Sequence, residues 1–264
     1  MNPKAICISF EGGEGVGKST QIRLLAHRLT LAGYEVCCLR EPGGTSVGEQ
    51  IRAILLNNAN STMTPITELL LYEAARAQLV AELIKPALAE GKVVLIDRFT
   101  DSTLAYQAFA RGLNRDLVDA ANAIGSSGLV PTRTILLDKD VELGLKKARK
   151  DGADRLEAES NEFHVRVHEG FKSLAEQYPE RITVVPCRER KPETHEAVFA
   201  AVADLFNEQA SQPFEITKDL LRQIKEDKRV AEVEQRDGAG VPLFVPKSGT
   251  PAPSLCPTRV AEGM

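Results

Sequence analysis

Residues 12–19 read GGEGVGKS, a Gly-x-x-x-x-Gly-Lys-Ser motif that directly follows an apolar run. In such a loop the glycines let backbone N–H groups surround phosphate oxygens, Lys18 reaches the β and γ phosphates, and the Ser19 hydroxyl is suited to Mg²⁺. Residues 5–10 have the apolar composition of a buried parallel strand, and residues 22–29 repeat apolar side chains at helical spacing. Strand, loop and helix thus occur in the order of a phosphate-binding loop, so we expect the chain to bind a nucleoside triphosphate.

Apolar, β-branched runs alternate with longer segments of helical periodicity along the first 208 residues. The runs lie at residues 5–10, 34–39, 93–96, 134–137 and 182–185. Helices are predicted at residues 46–57, 65–90, 102–111, 115–126, 141–150, 159–177 and 193–207. This alternation is typical of a parallel sheet covered by helices. We therefore predict an α/β fold of the P-loop NTPase type, with three layers, a five-stranded parallel sheet wrapped by helices, and a lid segment near residues 149–158.

The pattern deteriorates after residue 208. Residues 217–234 are a short, charged helical candidate, and the sequence beyond them is rich in proline and glycine. We predict one domain over residues 1–208 and a C-terminal appendage over residues 209–264 that is flexible after residue 237. VPLFVP at residues 241–246 is a candidate docking peptide.

The bulk properties exclude several functional classes. The net charge of −4 and the pI near 5.7 give no overall attraction to a nucleic-acid backbone, so no polynucleotide partner is expected. The five cysteines lack paired metal-ligand spacing. No leader-like region precedes the first strand and no run of about 18 apolar residues occurs, so we expect a cytoplasmic protein without a membrane partner.

Polar residues follow two of the apolar runs, at the edge where parallel strands end. Asp97 follows the third run, and an acidic residue there orients Mg²⁺ in phosphate-loop proteins, although a strand-terminal Asp also caps helices. Arg98 and Arg40 lie on the same edge and offer guanidinium groups to phosphate oxygens. The glycine turn after Arg40 brings backbone close to the ligand cleft, and we predict a cis peptide between Glu41 and Pro42.

Five motifs in chain order resemble the thymidylate kinase family over residues 4–205: FEGGEGVGKST, REPGGT, LLLYEAARAQLVAELIKPAL, DRFTDSTLAYQ and KKARKDGADRLE. DRFTDSTLAYQ is the most specific of them, because phosphate loops occur in many folds. The resemblance is to the bacterial type, in which the lid carries arginines. It implies a nucleoside monophosphate kinase domain that transfers the γ-phosphoryl group of ATP to dTMP, giving ADP and dTDP for dTTP synthesis. It also implies Mg²⁺ as the cofactor and a homodimer.

The resemblance further implies a set of site residues. Those assigned to ATP are Gly12, Gly13, Glu14, Gly15, Val16, Gly17, Lys18, Ser19 and Thr20, and those assigned to the metal are Ser19 and Asp97. Those assigned to dTMP are Arg40, Glu41, Pro42, Arg52, Tyr72, Arg76, Asp97, Arg98, Ser102, Tyr106 and Gln107. Those assigned to catalysis are Lys18, Glu14, Arg98, Arg149 and Arg155.

Within the dTMP set, the resemblance implies distinct tasks. Arg98 and Arg40 surround the acceptor phosphate with the help of Arg52. Glu14 lies near the sugar 3′-hydroxyl and the phosphate, and Ser102 lines the site. Two further residues, Arg76 and Gln107, hydrogen-bond the base. Tyr106 packs under the sugar and disfavours a 2′-hydroxyl.

The sequence departs from the family pattern at two places. Tyr72 stands where the family usually stacks a Phe on thymine, so an aromatic face is kept while the added hydroxyl requires a partner or water. In the lid, Arg149 and Arg155 remain, but Lys150 and Asp151 occupy the middle position. Because GGEGVG contains no Arg, charge stabilisation is expected to come from the lid.

The acceptor decides the mechanism that we expect. A phosphate monoester has its second pKa near 6, so it already carries a nucleophilic oxyanion at neutral pH and needs no general base. A deoxynucleoside kinase would need a carboxylate base, for which Glu41 or Asp97 are candidates, but REPGGT and DRFTDSTLAYQ argue against it. The alternative from another class is a P-loop regulatory ATPase with a partner-binding tail, which requires switch segments coupled to hydrolysis.

Overall fold

Five parallel strands form one sheet in the order β2-β3-β1-β4-β5. The strands are β1 (Ile6–Glu11), β2 (Val36–Arg40), β3 (Val93–Asp97), β4 (Arg133–Asp138) and β5 (Ile182–Pro186). The computed structural model describes residues 5–236, and the candidate docking peptide and the predicted flexibility after residue 237 lie outside that range. Each predicted strand is found within two residues of its expected ends, so the predicted α/β sheet is confirmed.

Ten α-helices lie among and around these strands within the described residues. They are α1 (Lys18–Leu31), α2 (Ser46–Leu56), α3 (Pro65–Leu79), α4 (Lys85–Ala89), α5 (Thr100–Thr103), α6 (Arg115–Gly125), α7 (Val141–Ala148), α8 (Asn161–Gln177), α9 (Lys191–Ala200) and α10 (Lys218–Arg236). Local sequence fixes several starts: Thr64 caps α3 ahead of its first-turn proline, and Thr45 and Ser160 cap α2 and α8 through their hydroxyls.

Two predicted helices are interrupted by wider turns. The segment predicted as one helix over residues 65–90 is regular to Leu79, takes a π-helical turn at Val80–Ile84 and resumes as α4. The segment predicted over residues 102–111 is mostly π-helical, at Leu104–Ala110. Such turns are rare and occur most often at functional sites, and hydrophobic periodicity does not distinguish them from α-helix.

Apolar residues cover both faces of the sheet. On one face, Ile8 and Phe10 of β1 pack with Leu25 of α1 and Val198 of α9. On the other face, buried residues of β2 and β3 pack with the helix from Leu79 to Ala87. A third cluster joins the second π-helical turn, Leu104–Ala110, to α8, and this turn is called the π-helical segment below. The carboxyl ends of β1, β2 and β3 are thereby held rigidly beside one another, where ligands bind in open α/β folds.

The chain beyond residue 208 packs against α1 and α9 as far as it is described. Arg28 of α1 donates to the carbonyl oxygens of Ala210 at 2.9 Å and Gln212 at 3.3 Å. The Phe214 ring lies 5.3 Å from the ring of buried His195, and Ile224 of α10 is 3% exposed. The helix predicted over residues 193–207 ends at Ala200, where the chain turns toward this contact. The domain boundary at residue 208 stays a prediction.

None of the helices within residues 5–236 combines the length and the apolar character needed to cross a bilayer.

Candidate active site

The glycine-rich loop connects the end of β1 to the start of α1. Gly12 has a φ of 127°, and a Cβ atom there would lie 2.5 Å from the carbonyl oxygen of Leu137. Gly17, with a φ of 110°, precedes the first residue of α1, so the free N–H groups of that helix point into the loop. The Cys187 thiol donates to the Val16 carbonyl oxygen at 3.6 Å. The Thr20 N–H donates to the Gly17 carbonyl oxygen at 3.1 Å.

Lys18 is buried at the base of this loop. Its ammonium donates to the carbonyl oxygens of Gly12 at 3.0 Å and Gly13 at 2.8 Å. Burial lowers the pKa of Lys18, and the nearby Arg98 charge lowers it further. The second effect shows that two cations share this corner of the site.

Ser19 and Asp97 meet at the predicted metal position. The Ser19 hydroxyl donates to Asp97 Oδ2 at 2.8 Å. These hydroxyl and carboxylate oxygens are the donor type that Mg²⁺ prefers. The pairing arises because α1 begins where β3 ends.

Arg98 crosses from the end of β3 to the glycine-rich loop. Its backbone has a φ of 71°, in the left-handed region that residues other than glycine seldom adopt. Its guanidinium donates to the Gly12 carbonyl oxygen at 3.1 Å and pairs with Glu14 at 2.6 Å. Lys18 and Arg98 therefore donate to the same carbonyl oxygen.

Glu14 is held by Arg98 and Tyr106, two residues that were predicted to belong to the same dTMP site. Besides Arg98, the Tyr106 hydroxyl donates to its carboxylate at 2.8 Å. Burial raises the pKa of Glu14, but the charges of Arg98 and Lys18 outweigh it and lower the pKa to about 2. Glu14 is thus a fixed negative charge within the loop at neutral pH.

Glu11, the last residue of β1, was not predicted as a site residue. Its carboxylate accepts from the Phe99 backbone N–H at 2.7 Å and from the Ser102 hydroxyl at 2.5 Å. Burial, and secondly the charge of Asp101, raise the pKa of Glu11 to about 8. Glu11 fixes the turn that carries Arg98, and Ser102 also accepts from Arg98 at 3.2 Å.

Two further predicted arginines meet on the turn after β2. Arg40 and Arg52 each donate to the Pro42 carbonyl oxygen at 2.9 Å. Burial, and then the Arg40 charge, lower the pKa of Arg52 to about 10, as expected where two guanidiniums lie side by side. Arg40 is also paired with Glu49 at 2.9 Å. The peptide between Glu41 and Pro42 is cis, as predicted.

Arg76 is 1% exposed and lies among side-chain acceptors. Its nitrogens contact Glu41 twice, at 2.7 and 2.8 Å, and contact Glu73, Asn122 and Thr103 at 2.6, 2.6 and 2.9 Å. A guanidinium has five N–H groups, so these five contacts use all of them. A bond from Arg76 to a base would require one contact to be exchanged, and that predicted role stays a prediction.

Tyr72 lies on the inner face of α3, with its hydroxyl among charged groups. Burial raises the pKa of that hydroxyl, Glu68 raises it further, and Arg98, Arg52 and Arg155 oppose this. The Tyr72 ring packs at the edge of the cluster that contains Tyr106. The Tyr72 ring therefore lies in the same region as Arg98, Arg52 and Arg155.

Gln107 and Arg155, predicted for separate tasks, meet on one carboxylate. Glu68 accepts from the Gln107 amide Nε2 at 2.9 Å and pairs with Arg155 at 2.6 Å and with Arg111 at 3.1 Å. Arg155 also donates to the Leu55 carbonyl oxygen at 2.7 Å. The lid arginine is thus docked on α2 and α3.

The other lid arginine is held within the lid itself. Arg149 donates to the carbonyl oxygens of Glu157 at 2.7 Å and Glu159 at 2.8 Å. Lys147 of α7, which precedes the lid, contacts the glycine-rich loop, since its ammonium donates to the Gly15 carbonyl oxygen at 3.2 Å. A Cβ atom on Gly15 would overlap the carbonyl oxygen of Gly144 in α7.

Most predicted site residues converge on one cleft beside β1, β2 and β3. The exceptions are Arg149, which bonds within the lid, and Arg76, whose N–H groups are occupied by buried side chains. Four contributing residues were missed: Glu11, Glu49, Glu68 and Lys147. Lys147 and Glu11 had a sequence signal, since they lie in the quoted KKARKDGADRLE and FEGGEGVGKST motifs, whereas Glu49 and Glu68 lie outside the five motifs and are recognised through their partners Arg40 and Gln107.

The strand order, the glycine-rich loop and the Ser19–Asp97 pair define a P-loop nucleotide-binding protein. A family model described as thymidylate kinase matches residues 10–198. Thymidylate kinase from Geotalea uraniireducens (strain Rf4) is 52% identical over 202 residues, which are 74% of this chain and 95% of that protein. Thymidylate kinase from Geobacter sulfurreducens is 51% identical over 205 residues, 75% of this chain and 94% of that protein.

A solved structure agrees with these matches. The crystal structure of thymidylate kinase from Ehrlichia chaffeensis superimposes with a TM-score of 0.61 at 30% identity, and covers 75% of this chain and 98% of its own. The chain belongs to the thymidylate kinase family and is an enzyme of the phosphotransferase class.

Proposed function

We propose that the chain transfers the γ-phosphoryl group of ATP to dTMP, giving dTDP and ADP for dTTP synthesis. The observation that carries this proposal is the Gly12 carbonyl oxygen, which accepts from Lys18 at 3.0 Å and from Arg98 at 3.1 Å. One cation belongs to the loop for a triphosphate, and the other belongs to the turn after β3. A donor and an acceptor phosphate bound to these two cations would face each other.

The acceptor phosphate supplies its own nucleophile, so the residues have an electrostatic task. Arg98, Arg40 and Arg52 offset the repulsion between two phosphate groups, and Lys18 offsets the charge of the transferred group. Glu14 stays ionised beside Arg98, so it fixes that guanidinium and accepts no proton from the substrate. The lid residues Arg149 and Arg155 are proposed to contribute further positive charge.

The oxygen donors of Ser19 and Asp97 suit Mg²⁺, and we propose that they hold it. A Mg²⁺ ion bound there would neutralise charge on the β and γ phosphates. The rest of the loop, from Gly12 to Thr20, would bind ATP through backbone N–H groups and the positive end of α1.

The nucleoside of dTMP is proposed to lie between α3 and the π-helical segment. Tyr72 offers an aromatic face for the base, and Gln107 and Arg76 would hydrogen-bond it. Tyr106 would pack under the sugar, since its hydroxyl is fixed by Glu14. Glu41, Pro42 and Ser102 complete the walls.

We also propose a homodimer through α3 and α6, which pack side by side. Each helix exposes two large apolar residues, namely Ile66, Leu70, Leu117 and Ile124, with exposed fractions of 42, 60, 47 and 78%. Exposed apolar residues on two adjacent helices are suited to burial in an association surface. Light scattering of the protein and of Leu70→Glu tests it, and a monomeric starting protein would contradict the dimer. The cytoplasmic location stays a prediction.

Product analysis tests the reaction. The protein is incubated with ATP and Mg²⁺ together with dTMP, dUMP, dCMP or thymidine, and the nucleotides are separated. Formation of dTDP from dTMP is expected. Phosphorylation of thymidine with dTMP left unchanged would indicate a deoxynucleoside kinase, and phosphate release that is independent of dTMP would indicate a regulatory ATPase.

A further inference from the structure

Glu68 is a buried carboxylate that three donors from two other parts of the chain contact. It is 1% exposed on α3. Its oxygens accept from Gln107 at 2.9 Å and pair with Arg111 at 3.1 Å and with Arg155 at 2.6 Å. The first two partners belong to the π-helical segment or its end, and the third belongs to the lid. A single side chain therefore connects three elements that border the cleft.

Glu68 is ionised, and this decides which way the Gln107 amide points. Burial raises the pKa of Glu68, but the hydrogen bond from Arg111 and the other donors outweigh it and bring the pKa below its ordinary value. An ionised carboxylate accepts hydrogen bonds only. The Gln107 NH₂ group must therefore face Glu68, and its carbonyl oxygen Oε1 points away from that carboxylate.

Glu68 also lies near the residue that is proposed to stack on the base. It lies one helical turn before Tyr72, and its charge acts on the Tyr72 hydroxyl together with those of Arg98, Arg52 and Arg155. The lid residue that pairs with Glu68 is additionally fixed to the end of α2 through Leu55. The orientation of Gln107 and the position of Arg155 are thus set by the same group.

We propose that Glu68 is a positioning residue for pyrimidine specificity, because it fixes Gln107 as a hydrogen-bond acceptor toward the base and anchors the lid beside it. This inference rests on the proposed function, in which Gln107 contacts the base. A carbonyl oxygen at that point favours a pyrimidine with a ring N–H donor, such as thymine or uracil. Cytosine presents a ring nitrogen acceptor instead, which places two acceptors opposite each other.

The test compares Glu68→Gln with Glu159→Gln. Glu159 is a matched control because it pairs with Arg111, as Glu68 does, whereas the hydrogen bond from the Gln107 side chain and the ion pair of Arg155 go to Glu68. The measured quantity is the ratio of kcat/KM for dTMP to that for dCMP, with the KM for ATP alongside. A glutamine at position 68 both donates and accepts, so the Gln107 amide is free to turn over.

We expect Glu68→Gln to lower the dTMP-to-dCMP ratio by about tenfold or more, since an unmatched polar contact discriminates strongly. The KM for ATP should stay within about twofold, and Glu159→Gln should keep the ratio. An unchanged ratio in Glu68→Gln, or an equal fall in both variants, would overturn the proposal, because the second result would indicate general loosening of the network.

A shorter carboxylate provides a second variant if Glu68→Gln does not fold. Glu68→Asp keeps the charge but draws the carboxylate oxygens back from Gln107 by about one C–C bond. The ratio of kcat/KM for dTMP to that for dCMP must therefore fall in this variant as well. An unchanged ratio would overturn the proposal. The two possible failures are distinguishable. Absence of dTDP formation by the unmodified protein would contradict the proposed function, whereas an unchanged ratio in an active variant would contradict the role of Glu68 alone.

Discussion

The two sides of the cleft are built by different means. On the side proposed to bind the triphosphate, the glycine-rich loop lies so close to α7 that Gly15 and Gly144 leave no room for side chains, and the loop offers mainly backbone groups. On the side proposed to bind the monophosphate, charged side chains pair with one another, as Arg98 does with Glu14. The first side depends on backbone shape and the second on buried charge. Substitutions that add volume should therefore harm one side, and substitutions that remove charge the other.

The largest effect is expected from removing Arg98, the cation that contacts both the glycine-rich loop and the turn after β3. Arg98→Ala should lower kcat by about 10³-fold, because a catalytic arginine in phosphoryl transfer contributes that much or more. Steady-state kinetics of dTDP formation measures it. Arg115→Ala is the control, since Arg115 pairs with Asp119 away from the cleft. A loss below tenfold in Arg98→Ala would show that the other cations suffice.

Adding one methyl group tests the triphosphate side. Gly15→Ala forces the loop away from the Gly144 carbonyl oxygen, and a misplacement of about 1 Å costs about 10²-fold in kcat/KM for ATP. Gly13→Ala is a matched control within the same loop, because a Cβ atom there meets nothing within 4 Å. If the two variants lost equal activity, contact with α7 would not be the constraint on the loop.

The segment around Phe214 is a third region, in which a substitution should change stability but not the rate of the reaction. Phe214 lies over His195 and within 5.6 Å of the Arg28 guanidinium, away from the cleft. Phe214→Ala should lower the free energy of unfolding by about 2 kcal/mol, since it removes a partly buried aromatic ring. Thermal denaturation measures this, with exposed Glu215→Ala as the control. Loss of kcat in the folded variant would mean that the C-terminal segment takes part in the reaction.

The smallest effect is a change in how stability depends on pH. The pKa of Glu11 is raised to about 8, above its ordinary value, so the folded protein holds a proton there that the unfolded chain has released. Stability from this group is complete at low pH and is lost as the pH rises toward 8. Glu11→Gln should therefore make the unfolding free energy fall less between pH 5 and pH 8. Exposed Glu180→Gln should leave that slope unchanged, and equal slopes for both variants would contradict the shifted pKa.

The sequence predicted the parts of the molecule that depend on local order. The strand, glycine-rich loop and helix were identified from residues 5–29, and the five strands from β-branched runs, because these signals lie within a few residues. The cis peptide between Glu41 and Pro42 was predicted from the glycine turn that comes next in the sequence. The predicted site residues that follow strands meet at one edge because parallel strands end together.

What remained unpredicted depends on contacts between distant segments. Glu68 looks like one of many acidic helix residues until α3 is placed against Gln107 and Arg155, which are 39 and 87 positions away. The π-helical turn over Leu104–Ala110 has the same periodic pattern as a regular helix. The docking of Phe214 was missed because proline and polar residues surround it in the sequence.

The contact between Gly15 and Gly144 links two positions that are 129 residues apart. Neither position can acquire a side chain by itself without pushing α7 away from the nucleotide loop. In an alignment of relatives, a larger residue at one position should accompany a compensating change at the other or a displaced seventh helix. The two glycines would then behave as a co-evolving pair.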